Sequence, residues 1–295
     1  MTTTFDAIGT RWRLDLPGDL SAAAGRAALM AVRERIAEFD KAYSRFRPDS
    51  LVAAMAASAG EYQLPPDAPA MLAVYRRVYD LTGAAVTPLI GQVLADAGYD
   101  AAYSLQERPL SQPPAWDEVL AWDGYNQLTL TAPALLDFGA AGKGYLVDLV
   151  GETLASQGLT TYTIDAGGDL LHRATAATPP LRVGLEHPAD PSLVVGVAEL
   201  GAANPLISLC GSAGNRRHWG RFHHIIDPRT LASPTSVQAV WVAAPTALVA
   251  DILTTALFFV PPSRLQSHFG FEYVILDQDY RAEISPGFPG TLFTS

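Results

Sequence analysis

The sequence predicts one compact protein that mixes helices with strands and is long enough to form two lobes. Three observations carry this. Apolar residues recur along the 295-residue chain with the two-residue period of strands in some stretches and the helical period in others. Hydrophobic residues make up 49% and charged residues 17%, the balance of a folded chain and not of a disordered one. No period of about 20 to 50 residues repeats, which argues against a solenoid or propeller.

Ile8, Trp12, Leu14 and Leu16 alternate with polar or small residues and predict a half-buried strand, broken by Gly18 and Asp19. From Ser21, the spacing of Leu29, Val32, Ile36, Phe39 and Tyr43 predicts an amphipathic helix, with Arg33, Glu34, Arg35 and Glu38 on its outer face. Ser44 to Ser50 reads as a turn, in which Arg45 and Arg47 flank Phe46. That is either a surface turn or an aromatic with basic neighbours beside a nucleotide site.

Ala68 to Leu81 predicts a second helix capped by Gly83, and Thr87-Pro88 opens a short helix closed by Gly98. Residues 105 to 117 are Pro- and Ser-rich and predict an irregular loop. Val119 to Trp122 and Gln127 to Leu130, around Asp123-Gly124, predict a hairpin. Leu135 and Leu136 deliver Asp137, and Tyr145, Leu146, Leu149, Val150 and Leu154 continue a helix to Gly158. Strands follow at Thr161 to Asp165, Arg182 to Glu186, Val194 to Glu199, Leu206 to Leu209 and Val237 to Ala244, then a helix N-capped by Thr246.

Four stretches carry chemistry. In DFGAAGKGYLVD, Asp137 to Asp148, Gly139, Ala140, Ala141, Gly142 and Gly144 leave backbone amides open at a helix entrance. Such amides suit a phosphate group, with Lys143 adding a point charge; the other reading is a Gly-rich turn with a solvated lysine. The stretch is not a Walker A loop, because Gly144 follows Lys143, and no GxGxxG fingerprint occurs. In AGGDL, Gly167 and Gly168 require a tight turn.

Gly211 to Thr230 gathers three histidines, four arginines and an aspartate. His223 and His224 would face opposite sides of an extended segment, so one of them can enter a given site; His224, before Ile225 and Ile226, is the candidate base, and Asp227 a candidate orienting group. A histidine satisfied by backbone is the competing reading. In the helix after Thr246, Asp251, Thr254 and Thr255 stand at i, i+3 and i+4 of an apolar stretch. These are hard oxygen ligands suited to Mg²⁺, and an acid there requires a metal, another buried partner, or plain exposure.

Composition excludes several classes. A net charge of −10 and a pI near 5.0 argue against a sequence-independent grip on nucleic acid. Cys210 alone excludes an internal disulfide, and no Cys/His spacing fits zinc. No apolar run reaches the roughly 18 residues of a membrane span. MTTTFDAIGT lacks the marks of a secretion signal, so the expected location is cytoplasmic, the alternative being an exported form whose leader has been removed.

Seven segments in one order, IGTRW, FDKAYSRFRPDS, DFGAAGKGYLVD, TIDAGGDL, VGLEHP, HHIIDPRT and ADILTTALF, resemble the ApbE family of FAD:protein FMN transferases from Ile8 to Phe258. The resemblance implies an α+β, bilobed, T-fold-like architecture of mixed and antiparallel sheets packed with helices, residues 1–295 forming a single domain of two intertwined lobes with FAD and Mg²⁺ between them. It implies transfer of the FMN half of FAD to a Ser or Thr of an acceptor protein, with AMP leaving. Asp251, Thr255 and the backbone of Ala140 would hold Mg²⁺, Asp137 and Lys143 would hold FAD, and Ile8, Phe46, Ala84, Ala85, Val86 and Ile225 would lie along the bound FAD. His224 would activate the acceptor hydroxyl.

The chain departs from the family pattern at Ile8 (usually Met), Phe46 (usually Tyr), Ala84 to Pro88 (AAVTP for AFDPT), Ala56 (often Asn), and Ala213 and Leu231 (usually Gly). These departures fall on flavin and adenosine contacts more than on phosphate handling. Two other functions share the motifs: an FAD pyrophosphatase that uses water, and a flavin-binding protein without chemistry.

Overall fold

Ile8 and Gly9 both take positive φ, 45° and 73°, between β1 (Thr2–Ala7) and β2 (Thr10–Asp15), where Ala7 pairs with Thr10. Two left-handed residues in a two-residue loop make the tight hairpin that matches strand twist. The single strand expected from Ile8 to Leu16 is therefore corrected. Trp12 and Leu14 do alternate inward on β2, but Ile8 occupies the turn. The computed structural model describes residues 1–204, 207–215 and 217–293.

Helix α1 (Ala22–Tyr43) is N-capped by Ser21, whose hydroxyl accepts the Ala24 N–H, and it buries Val32, Ile36, Phe39 and Tyr43 as its periodicity predicts. Helix α2 (Leu51–Ala57) and β3 (Gly60–Gln63) follow, neither evident from apolar spacing. Helix α3 (Ala68–Thr82) ends at left-handed Gly83. A 3₁₀ turn (Pro88–Ile90) and α4 (Gly91–Asp96) form the short helix expected after Thr87. The end of the segment expected to be irregular is helical: Trp116–Val119 forms α5, where the Glu118 carboxylate accepts the Ala115 N–H. The predicted hairpin is β4 (Leu120–Trp122) and β5 (Gln127–Leu130), completed by β3 in the order β3-β5-β4.

The second half supplies α6 (Gly142–Ser156), β6 (Tyr162–Ala166), β7 (Leu170–Arg173), β8 (Leu181–His187), β9 (Asp190–Leu200) and β10 (Ser208–Ala213). The strand expected at Leu206 to Leu209 starts instead at Ser208 and runs on to Ala213; Leu206 lies outside the described residues. A short pair, β11 (His218–Trp219) and β12 (Phe222–His223), precedes β13 (Val237–Ala244), α7 (Ala247–Ala256) and α8 (Ser263–Gln266). The chain closes with β14 (Glu272–Asp277), β15 (Ala282–Ile284) and β16 (Gly290–Leu292).

Eight strands form one antiparallel sheet in the order β1-β2-β6-β7-β10-β13-β14-β15, and β16-β9-β8 form a second. Strand β13 shows why the large sheet is covered on both faces. Val240, Val242 and Ala244 join the main core under the helices, while Ala239, Trp241 and Ala243 join a second core shared with β8, β9 and β16. Successive side chains point to opposite faces, so a run apolar at every position needs a layer on each side.

Helices α6 and α7 cross the first face against each other and against β6, β7, β10 and β13. Asp148 of α6 docks the start of α7 by accepting the Ala247 and Leu248 N–H groups, each at 2.8 Å, beside the Thr246 cap. The result is an α+β protein of antiparallel sheets packed with helices. Among the described residues, no helix is long and apolar enough to cross a membrane.

Candidate active site

Where the entrance of α6, the middle of α7 and the ends of several strands converge, they enclose a cavity of about 370 Å³. Its walls include Asp137, Gly139, Ala140 and Lys143 from the α6 entrance, Asp251 and Thr255 from α7, and His224 and Ile225 from the segment after β12. Phe46, Ala85 and Val86 close another side. Ten of the residues expected at a site from sequence thus share one cavity. Ile8 and Ala84 are not on its wall. Their neighbours Gly9 and Ala85 are, and both Ile8 and Ala84 hold left-handed backbone, φ 45° and 67°.

Asp251 is 4% exposed, and its Oδ2 accepts the Gly144 N–H at 2.8 Å. Gly144 is required there: a Cβ would stand 2.2 Å from the Ala247 carbonyl oxygen and 2.6 Å from the Asp251 Cβ. Burial pushes the Asp251 carboxyl above the usual carboxylate range, against the opposing pull of the Lys143 charge and the Gly144 N–H. A carboxylate this buried with so few donors lacks compensation that a cation would supply. Among the described residues, no three His, Cys, Asp or Glu side chains gather as a metal cage. The donor set on this wall is instead the Asp251 carboxylate and the Thr255 hydroxyl, beside the backbone of Gly139 and Ala140. It is all hard oxygen, which fits Mg²⁺ bound together with a phosphate-bearing ligand and does not fit zinc.

Thr254 departs from the expected face. Its hydroxyl donates to the Asp251 carbonyl oxygen at 2.7 Å and meets Ser212 Oγ at 2.8 Å, fully buried, while Ser212 itself reaches the cavity. A helical threonine that bonds back to its own turn presents little to a ligand.

Asp137 is held from two sides. Its Oδ1 accepts the Gly139 N–H at 2.7 Å, shaping the loop, and its Oδ2 accepts Arg45 Nε. Arg45 is 8% exposed and lies 4.2 Å from the Phe46 ring centre and 4.8 Å from that of Tyr99. The segment expected as a surface turn or a nucleotide-side aromatic therefore divides: Arg45 and Phe46 turn inward, and Arg47 pairs outward with Asp40 and Asp49. Tyr99, whose hydroxyl accepts Arg217 Nη1 at 2.6 Å, extends the aromatic wall and was not evident from the sequence. Burial raises the Tyr99 hydroxyl to about 12, so it stays protonated.

The two adjacent histidines separate as extended backbone requires. His223 turns away from the cavity, with Nε2 3.0 Å from the Pro234 carbonyl and Nδ1 accepting the Ile225 N–H. His224 lines the cavity, and its Nδ1 meets no hydrogen-bond partner among the described residues. Burial, with the Arg217, His223 and Lys143 charges adding to it, pulls the His224 imidazole down to about 3. It is neutral at physiological pH and a weaker base than an ordinary imidazole. Asp227 orients no histidine; its carboxylate grips Arg229 through Nε at 2.8 Å and Nη2 at 2.6 Å. Arg229 also donates to the Thr82 carbonyl, tying this loop to the end of α3.

An α+β protein with an oxygen-lined cleft that carries a lysine, beside a neutral histidine, is the class these features define. The chain belongs to the ApbE family, whose model matches residues 8–271. It is 27% identical to the FAD:protein FMN transferase of Treponema pallidum, an alignment covering 95% of this chain and 85% of that protein. It is 30% identical to one from Klebsiella pneumoniae over 50% of this chain and 44% of that one. The crystal structure of the ApbE protein from Thermotoga maritima superposes with a TM-score of 0.82 at 20% identity, covering 97% of each chain. The flavin transferase ApbE from Vibrio cholerae gives 0.78 at 20% identity, covering 98% of this chain and 97% of that one. At such identities these structures establish the fold.

Proposed function

We propose that this protein transfers the FMN half of FAD to a Ser or Thr hydroxyl of an acceptor protein and releases AMP. The observation that carries the reading is a neutral His224 on the wall that also holds Asp251, Thr255 and Lys143. The names of the related proteins supply the substrate class.

The N–H groups expected open at this helix entrance are instead spent inside the protein, Gly139 on Asp137, Ala141 and Gly142 on the Phe138 carbonyl and Gly144 on Asp251. Lys143 therefore receives the pyrophosphate, and Phe46, Ala85, Val86 and Ile225 offer apolar surface along the dinucleotide. Asp251, Thr255 and the backbone at Ala140 would hold Mg²⁺, which would spread the charge that develops on the pyrophosphate oxygens. The acceptor hydroxyl gives its proton to His224 as its oxygen bonds to the FMN phosphorus. The bond from that phosphorus to the bridging oxygen breaks, and AMP departs with the oxygen. The product is a phosphodiester between FMN and the acceptor.

Incubation with FAD, Mg²⁺ and a candidate acceptor tests the reading. AMP should appear in step with flavin that remains on the acceptor after denaturation. AMP and free FMN formed equally well without acceptor would assign the site to hydrolysis, and FAD binding with no AMP would leave it a flavin carrier.

A further inference from the structure

Asp169, in the turn between β6 and β7, is a buried acid to which neither the fold nor the reading above gives a task. It is 1% exposed and lies behind the cavity wall. Its partner is Lys143, whose ammonium sits against Oδ2; among the described residues, no other donor meets either carboxylate oxygen. Lys143 adjoins Gly144, the residue whose N–H holds Asp251. One turn of α6 therefore serves two buried carboxylates, Asp251 by its backbone and Asp169 by its side chain. The Lys143 charge also bears on Asp251, where it opposes the effect of burial.

A lysine ammonium on a flexible four-carbon stem goes to the carboxylate that most needs it. Without a charged partner at Asp169, that would be Asp251, and an ammonium seated there would exclude a cation of like sign. We infer that Asp169 is a positioning residue of the cation site: it keeps the Lys143 ammonium off Asp251 and so leaves that carboxylate open to a divalent metal. The inference rests on the reading that Asp251 holds the metal. Lys143 retains two further N–H donors for an anionic ligand while one is spent on Asp169.

The test is Mn²⁺ binding to the full chain without FAD, followed by the electron paramagnetic resonance of the free ion. Asp169→Asn should weaken Mn²⁺ binding by about tenfold or more, the scale seen when an outer partner of a metal site is removed. Asp169→Asn combined with Lys143→Met should restore the affinity of Lys143→Met alone, because nothing is left to compete. An Asp169→Asn protein that binds Mn²⁺ like the wild type overturns the inference. So does a double variant as weak as Asp169→Asn, which would make Asp169 a structural residue only. If Asp251→Asn loses Mn²⁺ while Asp169→Asn keeps it, the metal reading stands and this inference falls; if Asp251→Asn binds like wild type, both fall.

A second measurement needs no Asp169 variant. The chain has two lysines, Lys41 and Lys143, so limited acetylation read by mass spectrometry reports on Lys143 directly. With the ammonium held on Asp169, adding Mn²⁺ leaves the Lys143 rate unchanged. A rate that rises on adding Mn²⁺ places Lys143 on Asp251 and overturns the inference even if Asp169→Asn fails to fold.

Discussion

The Gly144 N–H and the Asp251 carboxylate lock α6 to α7 across 2.8 Å, at a point where the two helices leave no room for a side chain. Helix contact and candidate metal ligand are one feature here. Gly144→Ala would drive a methyl group into the Ala247 carbonyl and the Asp251 Cβ, both backbone-fixed positions. We expect a loss of about 3 kcal/mol or more, the upper end for overpacking, read as a lower midpoint in urea. Metal affinity should fall with it, because Asp251 moves when the helices part.

Asp251 itself should show the opposite balance. A buried carboxylate with one backbone donor is costly until a cation arrives. Mg²⁺ should therefore raise the melting temperature of the wild type. Asp251→Asn should lose that response, melt no lower than the metal-free wild type, and turn over at under about one hundredth of its rate. A variant still stabilised by Mg²⁺ would place the cation elsewhere.

His224 carries a pH signature. Its folded value of about 3 lies below the ordinary value of ~6.5, so the unfolded chain binds the extra proton between those limits. Its contribution to stability is complete above ~6.5 and is lost as pH falls toward 3. Activity should show no acidic limb near 6.5, as an ordinary histidine base would. His224→Gln should lower turnover by about a hundredfold or more with FAD affinity nearly unchanged.

Much of this site was legible because its residues contradict their surroundings. An aspartate inside the apolar run of α7 and a lysine among glycines and alanines stand out without any tertiary information. Arg45 and Asp169 do not. A charged residue beside Pro48 and Asp49, or after two glycines, has the look of a solvated turn, and only the rings of Phe46 and Tyr99, or the reach of Lys143, turn it inward. Thr254 misled for the converse reason: helical spacing puts it near Asp251, but its hydroxyl is used up on the Asp251 carbonyl and on Ser212 from β10. The covering of the large sheet on both faces follows from the unbroken apolar run of β13, whereas the pairing of β8 and β9 over it is long-range and leaves no local mark.

Arg45 and Asp137 form a pair whose side chains are 3% and 12% exposed. Breaking one member of such a pair strands the other, at a cost of about 3 to 5 kcal/mol. Arg45→Met should show that loss in equilibrium unfolding. Arg45→Met with Asp137→Asn should recover most of it, since no charge is then left alone. FAD affinity should fall in both, because the Gly139 turn and the Phe46 and Tyr99 wall are built on this pair.

Ile8 separates a role in the backbone from a role with the ligand. A β-branched residue at φ 45° is strained, and the hairpin turn between Ala7 and Thr10 favours Asn at its first position. Ile8→Asn should therefore stabilise the protein by about 1 kcal/mol, the lower end of the cost of such strain. If Ile8 serves FAD only by setting Gly9 and Thr10 on the cavity wall, the variant will bind FAD as tightly as the wild type. A clear loss of FAD affinity in a protein that has become more stable would show that the isoleucine side chain itself reaches the bound flavin.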